Sequence, residues 1–389
     1  MLKIIKFFFK NLIYLPGIFL IICINFFFKF RFFAFNQSRI GHLVEDYYIY
    51  FNNLNNKKCI VFKSHVHHEV CNKELLDIIE KKVNFYKNGY LFERPLKILD
   101  LIRKRFSIFN NINLINRDNK RDGYLNYNFK EKELLYNDEQ ISFFDNFMSE
   151  NQLIKNKYIC LQFWDMGHLN KKFDFSHHTY RLSSTHFKNY HKSLNFIISG
   201  GYKVVRIGKN SKTKINIEDN KNFIDVSLDK EKREVLDIML LNNCKFYIST
   251  TGGLDYLAYM FDKPMLLNSP IIDNIFCEKK NIFYLFKNHY HTLKKRNLSL
   301  EEICNNDLGF VPKTNFLTNN NIEIKDNSED EIFDAVKDLI DLVNDEKKYE
   351  FFKNRSKKNW LMYQNYVNNK KPHLKKYYKN ILCLNSNKI

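Results

Sequence analysis

The chain has 389 residues, of which 44% are hydrophobic and 27% are charged, and its formal net charge is +19. Its length allows two or three domains with ample core. The charge alone would suit a nucleic-acid-binding protein, but the basic residues are scattered and no zinc-finger, basic-zipper or RNA-recognition pattern occurs. We therefore expect no nucleic-acid partner, since an anionic lipid surface or an anionic donor substrate explains the sign of the charge equally well.

Residues 1–29 form a strongly apolar segment that predicts membrane association. The cleanest apolar run extends from Leu12 to Phe28, near the lower length limit for a spanning helix, and Pro16 and Gly17 interrupt it near its start. Basic residues lie on both sides, so the positive-inside rule gives no orientation. No cleavage site of a secretory signal follows. We predict a retained anchor, either a short span or a broken hairpin in one leaflet. The alternative is a helix buried in a soluble domain.

Residues 30–150 begin with the pattern of a strand, a glycine turn and a helix, and the turn carries Gly41 and His42. Residues 111–140 are polar enough to predict a loop. The predicted strands are Phe30–Phe35 and Cys59–Phe62, and the predicted helices are Leu43–Leu54, Glu74–Val83 and Leu96–Phe109.

Residues 151–325 alternate regularly between strand and helix patterns, which predicts a parallel sheet covered by helices on both faces. Residues 326–389 predict terminal helices, the first of which starts at a capping box formed by Ser328 and Glu331. The predicted strands are Tyr158–Phe163, Tyr202–Ile207, Phe223–Val226, Cys244–Ile248 and one that begins at Met265, and the predicted helices lie at 184–199, 235–241 and 254–261.

The strongest indication of a ligand site is a turn between a buried strand and a helix. It consists of Ser249, Thr250, Thr251, Gly252 and Gly253. Such a turn directs backbone N–H groups and a helix N-terminus beyond the sheet edge, which suits a phosphate. The alternative is an ordinary turn in which Ser and Thr cap the helix. Because a helix N-terminus contributes only about 0.3–1 kcal/mol toward an anion, a diphosphate site should also contain cationic side chains.

A polar loop at residues 164–182 supplies further candidates. It contains Asp165, Asp174, Tyr180 and Arg181, and long loops at the carboxyl ends of strands are where α/β enzymes bind ligands. Arg181 in this loop and Arg206 at the end of the next strand are cations suited to bidentate phosphate contacts. The two aspartates could bind sugar hydroxyls or act as bases; the alternative is that they cap the loop.

Cysteine and histidine usage indicates neither disulfides nor a metal. The eight cysteines form no CxxC pair, and several lie in apolar strand patterns, so we expect free thiols in a reducing compartment. The histidine groups at 65–68 and 177–178 have no cysteine partner and no HExxH spacing, and no D-x-D sequence occurs. No metal or other cofactor is therefore expected.

Several of these segments, in the same order, resemble a group of bacterial surface-polysaccharide glycosyltransferases. The group carries R-I-G-H-L near its N-terminus, followed by R-D-x-x-Y, D-x-x-Y-H-x-Y-R, G-Y-x-V-I-R-x-G and C-K-F-x-I. The resemblance covers roughly residues 36 to 315, but Trp164 replaces the arginine of the group, and His168 and His177 replace tyrosines. The matching segments here are Arg39–Leu43, Trp164–His168, Asp174–Arg181, Gly201–Gly208 and Cys244–Ile248.

The resemblance implies a GT-B-like α/β fold, in which two Rossmann-like domains have parallel sheets facing a cleft. Residues 30–150 would form the acceptor domain and residues 151–325 the nucleotide-sugar donor domain. Residues 1–29 would be the anchor, and residues 326–389 would form helices that pack back on the domains. The implied activity is metal-independent transfer of a sugar to a glycan or lipid-linked acceptor, at the cytoplasmic face of the bacterial inner membrane.

The resemblance also implies roles for individual residues. His42 would be the acceptor-side base, because GT-B enzymes often take the base from such a turn and histidine titrates near neutrality; the alternative is local capping or packing. Asp165 and Asp174 are further catalytic candidates. Tyr180, Arg181, Arg206 and the turn residues 249–253 would bind the donor and neutralise its diphosphate without a metal. The competing interpretation of the whole chain is a non-catalytic glycan- or lipid-binding subunit that keeps the fold.

Overall fold

The computed structural model describes residues 12–53, 58–64, 70–105, 133–163, 165, 185–209, 211–217, 221–269, 281–306, 308, 314–370 and 382–383. The chain forms two compact units, and the boundary between the described parts lies at Asn137 and Asp138. The helix Asp138–Glu150, which the sequence analysis grouped with the first domain, belongs to the second unit. Within that unit its Phe143 ring lies 5.0 Å from the guanidinium of Arg233.

The first unit contains a parallel βαβ arrangement with further helices. Its described strands are β1 (Arg31–Phe35) and β2 (Cys59–Lys63), and its described helices are α1 (Leu15–Phe28), α2 (Ile40–Asn53), α3 (Lys73–Glu80) and α4 (Tyr90–Arg105). The strands β1 and β2 pair in parallel along their whole length, and α2 connects them. The predicted strand and helix are thus confirmed, but the helix begins at Ile40, so Gly41 and His42 lie in its first turn and not in the predicted glycine turn. The helix expected at 96–109 begins earlier, at Tyr90.

Helix α1 packs along α4 inside the first unit. A β-carbon on Gly17 would lie 2.8 Å from Cγ of Pro95, so glycine allows the two helices to approach closely. Ile18 and Ile21 are buried in one cluster with Phe62 of β2. One side of the segment predicted as an anchor is therefore part of the domain core. None of the described helices is both long and apolar enough to cross a membrane.

The second unit consists of a large parallel sheet, a small antiparallel sheet and the helices around them. Its described strands are β3 (Tyr158–Gln162), β4 (Lys203–Arg206), β5 (Phe223–Asp225), β6 (Tyr247–Ser249), β7 (Met265–Ser269), β8 (Ile282–Phe286), β9 (Asn288–His291), β10 (Arg296–Asn297), β11 (Ile322–Lys325) and β12 (Leu382–Cys383). Its described helices are α5 (Asp138–Glu150), α6 (His191–Ser199), α7 (Val235–Asn243), α8 (Asp255–Met260), α9 (Leu300–Asn305), α10 (Thr314–Asn319), α11 (Glu329–Asn344) and α12 (Tyr349–Lys370).

The large sheet has the strand order β12-β8-β7-β6-β3-β4-β5, and each pair of neighbouring strands is parallel. Every residue of β3, β7 and β8 is buried, as expected for parallel strands with both faces covered. Helix α11 begins at the predicted capping box, in which Ser328 and Glu331 satisfy each other's backbone N–H groups. Its apolar side joins the core cluster of this sheet. The mixed α/β class and its parallel sheet are confirmed.

Two parts of the second unit differ from the sequence expectations. The expected helix at 184–199 starts with a 3₁₀ turn, Phe187–Tyr190, and the α-helix begins only at His191. Strand β8 and the antiparallel sheet β10-β9-β11 were not predicted. Strands β9 and β10 carry mostly polar residues, Asn288–His291 and Arg296–Asn297, so their sequences lack the apolar alternation that marks a strand.

Candidate functional site

The strand order marks one position on the large sheet as special. The chain passes from β3 to β4 and β5 on one side, and then returns to β6, β7 and β8 on the other side. The order therefore reverses between β3 and β6, whose last residues, Gln162 and Ser249, are paired. In open α/β sheets, ligands bind beyond the carboxyl ends of the strands at such a reversal. The turn after Ser249, which the sequence also indicates, lies at this position.

The turn 249–253 approaches the end of β3 very closely. The backbone N–H of Thr250 donates to the carbonyl of Gln162 at 3.1 Å, which continues the ladder between the two strands. Thr251 adopts a left-handed backbone with φ of 63°. A β-carbon on Gly252 would lie 2.7 Å from Oε1 of Gln162, so any larger residue requires a shift of one of the two. The glycine therefore serves the contact between this turn and β3.

Besides that of Thr250, two more backbone N–H groups of the turn have acceptors inside the protein. That of Thr251 donates to Oγ of Ser249 at 3.0 Å, and that of Gly252 donates to Oδ2 of Asp255 at 2.8 Å. Asp255 is the first residue of α8, where the helix dipole favours a carboxylate. From the sequence of the turn, we expect these amides to face a phosphate. A phosphate at this turn would have to share or replace the carboxylate of Asp255.

A buried hydrogen-bond network holds the turn in place. The hydroxyl of Tyr247 lies 3.0 Å from Oδ1 of Asp255 and 3.2 Å from Oε1 of Gln162, and the hydroxyl of Ser249 donates to the same Gln162 oxygen at 2.9 Å. Burial and then the charge of Asp255 raise the pKa of Tyr247 well above its ordinary value, so the phenol keeps its proton as a donor. The ends of β3 and β6 and the start of α8 are thereby fixed relative to one another.

Arg206, expected at the donor phosphates, is enclosed by protein groups. Its Nη1 donates to the carbonyl of Thr213 at 2.5 Å and to Oδ2 of Asp225 at 3.1 Å, and its Nη2 lies 3.3 Å from Oδ2 of Asp165. The ring of Phe187 lies 5.2 Å from the guanidinium. The residue has 0% exposure. Its donors are used inside the fold.

These contacts bear on the roles predicted for Arg206 and Asp165, which stay predictions. A phosphate contact by Arg206 would require the guanidinium to leave two carboxylates and a buried position, and breaking a buried ion pair costs about 3–5 kcal/mol. Asp165 accepts the backbone N–H groups of Lys212 and Thr213 as well as the Arg206 contact. A carboxylate that accepts so many hydrogen bonds is a weak base. The described contacts favour a structural role for both residues, which hold the segment 211–217 against the ends of β3 and β4.

A second buried ion pair, not predicted from the sequence, lies at the ends of β7 and β8. Nζ of Lys287 is 3.1 Å from Oδ1 of Asp326 and 3.2 Å from Oγ1 of Thr185. Asn268 donates to the hydroxyl of Tyr190 at 2.8 Å and lies 3.3 Å from Asp326. The sequence signal is weak, because Lys287 follows a strand that was not predicted and Asp326 lies in a short polar connection. These contacts tie residue 185, just after the polar loop, to the sheet.

A small cavity of about 170 Å³ adjoins this ion pair. Its walls include Lys287, His289, Ser299, Glu301 and Asn359. Burial lowers the pKa of His289 to about 4, and its Nδ1 lies 3.2 Å from the carbonyl of Lys287. The imidazole is therefore neutral at physiological pH. Among the described residues, no group of three or more His, Cys, Asp or Glu side chains is placed to hold a metal ion.

His42 lies in the first turn of α2 and is held by a carboxylate. Its Nδ1 is 3.0 Å from Oε2 of Glu45, one helical turn further along. The side chain of Glu45 is fully buried, whereas that of His42 is 18% exposed. The neighbouring Asp46 accepts the backbone N–H of Asn36 at 2.6 Å, which fixes the turn before the helix. A partly exposed imidazole oriented by a buried carboxylate is the arrangement of a general base and its orienting group.

The remaining predicted site residues lie outside the described residues. These are Asp174, Tyr180 and Arg181, together with Trp164, His168 and His177 of the resemblance. Their roles stay predictions, as does the cleft between the two domains. The structure thus brings together the turn 249–253 and Gln162 at the strand-order reversal. It places Asp165 with Arg206, but as an internal ion pair.

No protein-family model matches the sequence, and the comparison with curated protein sequences found no match. Among solved structures, the chain is similar to ADP-heptose LPS heptosyltransferase II of E. coli, with 13% identity over 66% of this chain and 85% of that one and a TM-score of 0.39. It is similar to UDP-GlcNAc 2-epimerase of Methanocaldococcus jannaschii, with 12% identity over 61% and 83% and a TM-score of 0.31. A dodecameric iron-containing heptosyltransferase in complex with ADP-D-β-D-heptose has 14% identity over 61% and 58%, with a TM-score of 0.33.

Proposed function

We propose that this protein is a glycosyltransferase that moves a sugar from a nucleotide-sugar donor to a glycan or lipid-linked acceptor in bacterial surface-polysaccharide synthesis. The observation that carries the proposal is the position of the turn 249–253, which lies at the strand-order reversal between β3 and β6. Nucleotides bind at this point in open α/β sheets. The resemblance of the motifs to surface-polysaccharide glycosyltransferases supports the choice of reaction.

In this proposal the donor diphosphate lies over the turn 249–253. The closeness of Gly252 to Gln162 fixes the turn against β3, so the turn geometry is set before a ligand binds. Because Arg206 is enclosed, the cation that the diphosphate requires has to come from elsewhere, and Arg181 is the candidate that the motif supplies. Tyr180 and Asp174 are proposed beside it for the same reason. No metal is proposed, since backbone dipoles and an arginine can neutralise the leaving group.

His42 is the proposed general base, and Glu45 the residue that positions it. The acceptor hydroxyl oxygen attacks the anomeric carbon of the donor sugar, and its proton passes to His42. The bond from that carbon to the diphosphate oxygen breaks, and the electron pair leaves with the diphosphate. The contact of 3.0 Å between Nδ1 of His42 and Glu45 supports this assignment, because it directs the opposite ring nitrogen away from the carboxylate.

The proposed location is the cytoplasmic face of the bacterial inner membrane. Among the described residues Cys23, Cys160, Cys244 and Cys304 are free thiols, which supports a reducing compartment. The apolar N-terminal segment supports association with a membrane, where lipid-linked acceptors are found.

A ligand panel on the full-length protein tests the proposal. Melting temperatures are measured with UDP, GDP, CDP, ADP and their sugars, and calorimetry then gives the affinity of the best ligand. We expect one nucleotide family to raise the melting temperature, because a ligand of the native state stabilises it. If no nucleotide shifts the melting temperature, the glycosyltransferase proposal fails and a non-catalytic glycan- or lipid-binding subunit becomes the better interpretation.

A pair of glycine variants links binding to the proposed site. Gly252→Ala places a β-carbon against Gln162 and should weaken nucleotide binding by at least about tenfold, or about 1.4 kcal/mol. Gly200→Ala makes the same change at the end of α6, which leads into the amino end of β4, at the opposite edge of the sheet. It should leave the affinity unchanged. Equal affinities of the two variants would place the nucleotide elsewhere.

A further inference from the structure

Helix α1 has apolar residues all round, yet the described part of the first unit buries only one side of it. The buried residues Ile18, Ile21 and Asn25 follow the helical spacing i, i+3, i+7 and share one side. The exposed residues Leu15, Phe19 and Phe26 follow the spacing i, i+4, i+11 and share a different side. A helix that is apolar all round is normally buried all round. Within the described residues, the exposed side of α1 therefore lacks the apolar surroundings that its side chains favour.

The exposed side of α1, here called the outer face, is a continuous apolar surface. Phe19, Phe26 and Phe27 are 69%, 74% and 71% exposed. Soluble monomers rarely expose large contiguous apolar patches, and such patches mark interaction sites. The outer face consists of Leu15, Phe19, Leu20, Phe26, Phe27 and Phe28.

The chemistry around the outer face fits an anionic lipid surface. Exposed Lys29 follows the helix directly. In the sequence, three further lysines precede the apolar run, within residues 1–10. Basic residues beside an apolar helix face are the signature of binding to anionic membranes. The outer face itself offers no hydrogen-bonding side chain, whereas protein interfaces typically contain one hydrogen bond per about 100–200 Å².

We propose that α1 lies in the plane of one leaflet of an anionic bilayer, with its outer face among the acyl chains and its inner face retained in the domain core. A spanning arrangement would expose the inner face to lipid as well, and would separate Ile18 and Ile21 from Phe62, leaving a void in the core. The inference rests on the proposed membrane association, but it does not depend on glycosyl transfer.

A co-sedimentation experiment with full-length protein tests the surface. The vesicles consist of phosphatidylcholine alone or mixed with phosphatidylglycerol. The triple variant Phe19→Gln, Phe26→Gln, Phe27→Gln should bind mixed vesicles at least about a hundredfold more weakly, because each inserted Phe strengthens binding by about tenfold or more. The matched control Leu293→Gln, Phe351→Gln, Leu361→Gln replaces three exposed apolar residues of the second unit and should bind as the parent does.

Two further measurements on the same proteins decide between the alternatives. The triple variant should melt within about 2 °C of the parent and keep any nucleotide affinity, since exposed substitutions scarcely change stability. This separates failure of lipid binding from failure of the enzyme proposal. Fluorophores on cysteines replacing Phe19 and Phe27 should be quenched equally by shallow lipid quenchers, as in-plane insertion requires.

Three results would overturn the inference. The triple variant could bind mixed vesicles as strongly as the parent. The two fluorophores could report clearly different depths, which would indicate a spanning helix. The parent could ignore vesicles and instead form a dimer that the triple variant cannot form, which would make a second copy of the chain the partner of the outer face.

Discussion

The histidine–glutamate pair of the first unit and the arginine cluster of the second unit hold ionisable side chains in opposite situations. His42 keeps an 18% exposed side chain while its partner Glu45 is buried. Arg206 and Asp165 are both enclosed, with side-chain exposures of 1% and 0%. A ligand can therefore reach the imidazole but not the guanidinium. A charged residue at a predicted site can therefore contact a ligand only when part of its side chain stays exposed in the folded protein.

The largest expected effect is that of replacing His42, whose side chain is accessible. His42→Ala should lower kcat by about 10²–10⁴-fold, the usual loss on removing a general base. Donor affinity should stay within about a factor of three, because uniform binding is untouched. The measurement is release of nucleotide diphosphate from the donor identified by the ligand panel. His291→Ala, a partly exposed histidine of the second unit, serves as the control. Near-normal turnover, or an equal loss of donor affinity, would remove His42 from catalysis.

Replacing the enclosed Arg206 should instead lower the stability of the protein. Arg206→Met leaves the carboxylates of Asp165 and Asp225 without their cation and should destabilise the protein by about 3–5 kcal/mol. Urea denaturation measures this loss. Arg296→Met breaks the exposed pair with Glu302 and should change stability far less, because solvent screens an exposed ion pair.

The same variant also tests whether the donor can reach Arg206. If Arg206→Met retains the stability of the parent but binds nucleotide about 1.5–3 kcal/mol more weakly, the guanidinium contacts the donor after all. A variant that unfolds below room temperature is replaced by Asp225→Asn, which removes one carboxylate and keeps the arginine. We expect this variant to be destabilised with unchanged nucleotide affinity.

A third prediction extends the comparison to an enclosed titratable group. Burial lowers the pKa of His289 to about 4, below the ordinary value of about 6.5. The unfolded chain therefore takes up a proton near pH 6.5 that the native protein takes up only near pH 4. Stability should fall as the pH drops between these values, by about 3 kcal/mol in total. His289→Gln should flatten this part of the curve of unfolding free energy against pH.

The control for this prediction is His291→Gln on the same strand, whose side chain is partly exposed. It should retain the slope of the parent. An unchanged slope in His289→Gln would show that the acid sensitivity has another origin.

The smallest expected effect tests the role of Glu45, the buried carboxylate beside His42. Glu45→Gln should lower kcat by about tenfold to a hundredfold, the equivalent of a charged hydrogen bond of about 1.5–3 kcal/mol. The acid limb of the pH–rate profile should move to lower pH, because the lost negative charge had favoured the protonated imidazole. A merely structural glutamate would not shift the profile. A lower rate with an unmoved profile would therefore contradict the positioning role.

Local patterns predicted the elements that carry the candidate site. The strands at 158–163 and 202–207 and the turn at 249–253 were found because apolar runs and glycines act over a few residues. The same patterns missed the pairing of Lys287 with Asp326, which are far apart in the chain. They also missed Glu45, since a glutamate within a helix is common and its presence says nothing about what it contacts.

Local sequence patterns predict the alternation of strands and helices, the capping box at Ser328 and the hydroxyl- and glycine-rich turn, because each depends on neighbouring residues. Which charges are enclosed follows from the packing of distant segments. Asp165 and Asp225 pair with Arg206 from beyond the ends of two other strands, and no spacing in the sequence predicts these ion pairs. The tertiary structure also determines which side of α1 is buried. The apolar sequence of the helix does not show that α4 packs against the side that contains Gly17.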